Sequence, residues 1–159
     1  MRVVIARHGK AFQDSMSGLD RDRVLKPRGE RQADFLGYAL ADTDPRPARV
    51  VASPYARAWQ TAQRLAGGLG LEPIADDRLI CGKSAGDLLD ILEEAAREPI
   101  AAVCIVGHNP TLEIAIGALL EGPTGEPVRV RTGEAFCLDV DPTHPVNSAE
   151  MVSQIRLDD

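Results

Sequence analysis

The chain has 159 residues, of which 44% are hydrophobic and 26% charged, and a formal net charge of -6. That length supports one globular domain, residues 1–159, with a real core and little room for a second. The acidic balance argues against non-specific binding to nucleic acid or to an anionic membrane, since both need a basic footprint, so any anion site must come from a local cluster of positive groups. Cys81, Cys104 and Cys137 are odd in number and are not spaced like a zinc knuckle. They read as free thiols in a reducing compartment. The N-terminal apolar run is four residues, shorter than a signal core, and no stretch is long enough to cross a bilayer, so a cytoplasmic protein is expected.

Short apolar runs alternate with longer stretches of helical period, the pattern of a three-layer α/β domain. The first strand is expected over Arg2 to Ala6; it lacks polar alternation, as a strand buried on both faces does. A loop rich in Asp and Arg runs to Lys26, and Pro27 opens a helix that continues to the Asp42-Thr43-Asp44-Pro45 breaker. Arg49 to Ala52 reads as the second strand. Ser53-Pro54 reads as a helix N-cap with proline at the first helical position, and that helix stops at Gly67-Gly68. Leu88, Leu89, Leu92 and Ala96 line one face of a helix from Ala85 to Arg97. Ile100 to Val106 is a further buried strand, and Asn109-Pro110 caps a helix running to Leu120. Glu134 to Val140 and Met151 to Leu157 read as late strands.

Three of these strands end in chemically capable residues: Ala6 in Arg7-His8-Gly9, Ala52 in Ser53-Pro54, and Val106 in Gly107-His108-Asn109-Pro110. Crossover connections keep such strands parallel, so their carboxyl ends meet at one sheet edge, where α/β proteins place their sites. Arg57 lies one helical turn after Ser53 and can lean back over the same crevice. The expected pocket therefore holds Arg7, His8, Arg57 and His108.

Charge argues for what this set does. A phosphoryl group in transfer spreads negative charge over three equatorial oxygens, with attacking and leaving atoms in line. Two arginines can fork those oxygens and one histidine can donate to them, which leaves one neutral imidazole to attack. His8 is the choice for nucleophile, and Gly9 after it lets the chain turn sharply and lets phosphate approach the backbone. Asn109 and Ser53 are further candidates for substrate binding.

Arg7-His8-Gly9, Ser53-Pro54-Tyr55-Ala56-Arg57-Ala58-Trp59-Gln60-Thr61 and Gly107-His108-Asn109-Pro110 together resemble the histidine phosphatase (phosphoglycerate mutase-like) superfamily. The short chain and Cys81-Gly82 after Leu79 are similar to its compact SixA-type phosphohistidine phosphatase branch. The resemblance implies a three-layer α/β/α fold with a mixed, mostly parallel central sheet. It implies transient phosphorylation of His8, phosphoryl binding by Arg7, Arg57 and His108, and no metal or organic cofactor. A shallow, open site would admit a phosphohistidine on a phosphorelay or phosphocarrier protein, or a small phosphorylated molecule, and a monomer is expected.

The chain departs from its relatives in places. Asp14 stands where many of them have Asn, and Leu25-Lys26-Pro27-Arg28-Gly29 replaces their Leu-Thr-x-x-Gly. No carboxylic acid for the leaving group can be picked out among Asp76, Asp77 and Asp87, which suits a nitrogen leaving group better than an alkoxide. The expected activity is thus removal of phosphate from protein phosphohistidine. The alternatives are a phosphatase of small phosphate esters or nucleotides, and a phospho-ligand binding module without turnover. Lys10, Lys83 and His144 read as surface residues and Cys104 as a core residue. Tyr55 and Trp59 can equally pack on the sheet or line the rim.

Overall fold

The computed structural model describes residues 1–158, folded as a six-stranded mixed sheet between two pairs of helices. In chain order the strands are β1 Arg2–Arg7, β2 Arg49–Ala52, β3 Ile74–Ala75, β4 Ala102–Gly107, β5 Ala135–Asp139 and β6 Glu150–Ile155. The helices are α1 Pro27–Ala41, α2 Ala56–Gly68, α3 Ala85–Ala96 and α4 Thr111–Glu121, with short 3-10 turns at Asp20–Asp22 and Asp77–Leu79. Across the sheet the order is β3-β2-β4-β1-β5-β6. The first four are parallel, and β5 and β6 add antiparallel strands at one edge.

The apolar runs explain the layers. Along β1, Val3 and Ile5 face one side while Val4 and Ala6 face the other, and all four are buried. Val103 and Ile105 of β4 join the first set, and Cys104 and Val106 the second. One core packs α3 and α4 through Leu88, Leu92, Leu112 and Ile116; the other packs α1 and α2 through Leu36, Leu40, Ala62 and Leu65. Cys104 is fully buried, as expected for a core residue, and burial pushes its thiol pKa up. At Gly68 a Cβ would sit 2.9 Å from the backbone of Gly37, so glycine allows α1 and α2 to cross closely. Among the described residues, no helix is long and apolar enough to cross a membrane.

Two expectations need correction, and three short elements are additional. Ser53 does not cap α2, whose N-cap is Tyr55 and has no side-chain cap bond. The Ser53 N–H still donates to Val106 O at 3.1 Å, so the chain leaves the sheet before the helix begins. Asn109 likewise does not cap α4, which starts at Thr111 after Pro110; its Nδ2 donates instead to Val130 O at 2.8 Å. The short β3 and both 3-10 turns carry too few residues for periodicity to register.

Register sets the site. Arg7 pairs with Gly107 across β1 and β4, and Ala52 pairs with Val106 across β2 and β4. His8 and His108 are therefore each one residue beyond a matched pair, and Ser53 stands beside them.

Candidate active site

The two imidazoles lie 5.3 Å apart between ring centroids, tilted by 54°. Tyr55 packs edge-on against His108 at 5.4 Å, and the Arg57 guanidinium lies 5.6 Å from the Tyr55 ring. Tyr55 therefore lines the rim, whereas Trp59 packs against the α1–α2 core. His8, Arg57 and His108 are only 7%, 4% and 4% exposed, and Arg7 is half-buried.

His8 has its tautomer set by its neighbour. Its Nδ1 lies 2.8 Å from Gly9 O, and a carbonyl only accepts, so Nδ1 carries the proton and Nε2 keeps the lone pair. The Gly9 N–H donates to Thr61 Oγ1 at 3.0 Å, and the Thr61 hydroxyl donates to Arg57 O at 2.8 Å. Both polar groups of Gly9 are engaged, one holding His8 and the other tying it to α2. A Cβ at Gly9 would lie 2.5 Å from Gly29 O, so glycine is needed there for the packing of the β1 loop on α1.

His108 is held by Ser53. Tyr55 N–H donates to Ser53 Oγ at 3.2 Å, and the same hydroxyl is hydrogen-bonded to His108 Nε2 at 2.8 Å, a contact in which either atom can be the donor. The other ring nitrogen is Nδ1. That atom is buried and has no hydrogen-bond partner among the described residues, and Arg7 Nε and Asn109 Oδ1 share this condition. Buried polar atoms without partners are rare, and these three sit together at the ends of β1 and β4. Arg7 Nη1 donates to Val130 O at 3.2 Å, so one loop carbonyl positions both Arg7 and Asn109.

Arg57 reaches outward from the first turn of α2. Nη1 donates to Asp20 O at 2.9 Å, and Nη2 to Asp20 Oδ2 at 3.1 Å and Cys81 Sγ at 3.3 Å. Asp20, Arg23, Thr61 and Val130 were not picked out in sequence as site residues. Thr61 had a signal, since it follows Arg57 by one helical turn; the others are joined to the site only by the fold. Lys10, Lys83 and His144 are exposed, as expected, and so is Asp14, on the loop that also carries Phe12 and Met16. Among the described residues, no three of His, Cys, Asp and Glu cluster as metal ligands do.

Electrostatics keep both imidazoles neutral. Burial is the main cause that lowers the His8 pKa to about 4, with Arg57 and Arg7 adding repulsion. Burial, then His8 and Arg57, lower that of His108 to about 3. Burial also lowers the Arg7 pKa, partly offset by Glu113. Near neutral pH the pocket therefore combines an imidazole lone pair with arginine charges.

These shifts have a testable sign. Between about pH 3 and pH 6.5 the unfolded chain binds more protons than the folded one, so stability rises with pH there. The two histidines cost nothing above pH 6.5 and destabilise as pH falls toward 4, with roughly 3 kcal/mol at stake for His8 alone. NMR titration of the ring Cε1–H resonances should place both midpoints near pH 4 or below. Midpoints near 6.5 would show that the rings are hydrated.

Two neutral histidines flanked by two arginines at the carboxyl edge of a mostly parallel sheet define an α/β enzyme built to hold and transfer an oxyanion such as a phosphoryl group. The model of the histidine phosphatase superfamily (branch 1) matches residues 3–80. An uncharacterized protein of Picosynechococcus is 31% identical over 132 residues, covering 82% of this chain and 80% of that protein. Phosphohistidine phosphatase SixA of Escherichia coli is 29% identical over 127 residues, covering 78% and 77%. The structure of the protein histidine phosphatase SixA complexed with tungstate superposes with a TM-score of 0.84 at 24% identity, covering 98% and 97%. The fold also extends to a mycobacterial glucosyl-3-phosphoglycerate phosphatase complexed with inorganic phosphate, with a TM-score of 0.70, 18% identity and coverage of 96% and 95%. The chain belongs to the histidine phosphatase superfamily, in its SixA-type branch, and is a phosphatase.

Proposed function

We propose that this protein removes phosphate from phosphohistidine on a partner protein through a transient phosphohistidine on His8. The observation that carries the reading is the His8 tautomer: Nδ1–H bonded to Gly9 O leaves the Nε2 lone pair for attack. In the first step Nε2 bonds phosphorus while the bond to the leaving atom breaks, and the leaving atom takes the electron pair. Arg7, Arg57 and His108 bind the equatorial oxygens. In the second step water attacks phosphorus, the Nε2–P bond breaks and its electron pair returns to His8. The water's proton leaves with the phosphate.

The substrate class rests on the leaving group. Asp20 is the carboxylate that hydrogen-bonds a member of the pocket, and its pKa is lowered, chiefly by a hydrogen bond from Arg23. An ionised carboxylate is a poor donor of the proton that an alkoxide needs, whereas an imidazole leaves without one. Similarity to SixA of E. coli supports the same choice. The fold shared with a sugar-phosphate phosphatase favours a second reading, hydrolysis of small esters.

A substrate panel separates the two. In chelator, the protein is given a phosphohistidine-bearing carrier protein and a set of alkyl phosphates, and kcat/KM is compared. The carrier should be preferred. A preference for esters would leave the phosphoryl chemistry in place and overturn the substrate.

A further inference from the structure

The groups assigned so far hold the phosphoryl group, and none recognises what it is attached to. In-line attack by His8 from the sheet edge sends the leaving group away from the sheet. His8, His108 and Arg57 form the buried floor, and one of them, Arg57, is bonded by an exposed carboxylate. That carboxylate is Asp20, with a side chain 55% exposed.

Asp20 is held from several directions. Its Oδ1 accepts from Arg23 Nη1 at 2.9 Å, its Oδ2 from Arg57 Nη2 at 3.1 Å, and its backbone carbonyl from Arg57 Nη1 at 2.9 Å. Arg23 is itself anchored by Nε to Phe12 O at 2.7 Å. Each carboxylate oxygen has two acceptor directions and uses one of them here, so each keeps acceptor capacity. A fixed negative charge beside an anion pocket opposes a bare phosphate dianion. It favours a substrate that carries a positive N–H next to its phosphoryl group.

We infer that Asp20 is a specificity-determining residue that accepts the ring N–H of the substrate's phosphorylated imidazole and favours that ring as the leaving group. A ring phosphorylated on one nitrogen and protonated on the other is a cation. When His8 Nε2 bonds phosphorus and the P–N bond breaks, the electron pair stays on the ring nitrogen. The ring departs as neutral imidazole with the proton it arrived with, so no proton is delivered during the step. This inference rests on the phosphohistidine reading above.

The test compares Asp20→Asn with wild type on two probes, histidine phosphorylated on Nε2 and 4-nitrophenyl phosphate, whose phenolate leaves without a proton. The ratio of kcat/KM for phosphohistidine over the aryl ester should fall about 10-fold or more, the scale of a lost hydrogen bond to a charged group. Asp20→Glu, which keeps the charge, should recover part of it, and thermal melts confirm that both variants fold. An unchanged or raised ratio in Asp20→Asn would overturn the inference, because a carboxylate that only positions Arg57 affects both substrates alike. Wild-type protein inactive on phosphohistidine would instead sink the substrate reading, and this inference with it.

Discussion

His8→Ala is expected to lower turnover of every phosphate substrate by about 10⁴-fold or more, the scale on which nucleophile deletions fall. The argument is geometric. His108, the other imidazole, has its Nε2 engaged by Ser53, so that nitrogen is not free to substitute for Nε2 of His8. Among the described residues the His8 side chain makes a single hydrogen bond, Nδ1–H to Gly9 O, and the backbone bonds of His8 do not depend on the ring, so the variant should keep its fold and its affinity for inorganic phosphate. The checks are steady-state kinetics on an aryl phosphate together with phosphate binding by calorimetry. Comparable turnover in the variant would remove His8 from the chemistry.

Arg57→Ala is expected to cost about 10²-fold or more in rate, as loss of one preorganised charge donor does. Arg57 is 4% exposed, and its guanidinium is bonded to Asp20 and Cys81. Without it Asp20 retains Arg23 as partner, so the 3-10 turn should stay in place. Arg57→Lys should restore little, since an ammonium cannot fork two oxygens. A rate unchanged in Arg57→Ala would show that α2 does not bring this arginine to the phosphoryl group.

Arg7, His8 and His108 were legible in sequence because each ends or follows an apolar run that reads as a buried strand. Register then does the rest: Arg7 opposite Gly107 and Ala52 opposite Val106 bring three strand ends together. Arg57 was legible through its spacing from Ser53. The cap readings of Ser53 and Asn109 failed because local signals compete with tertiary hydrogen bonds, here from Ser53 to His108 and from Asn109 to Val130. Asp20, Arg23 and Val130 gave no local sign. Arg7 and Val130 are 123 residues apart, and only the closed sheet makes them neighbours. Thr61 lay inside a recognised motif, yet its role depends on Gly9, 52 residues away.

The most direct test of the central claim is rapid-quench trapping with a ³²P-labelled phosphohistidine protein, followed by peptide mapping. The expected result is an acid-labile, alkali-stable phosphate on the peptide that contains His8, formed and consumed at rates compatible with turnover. Turnover without label on the enzyme, or with label on a different residue, would contradict a phosphohistidine intermediate at His8.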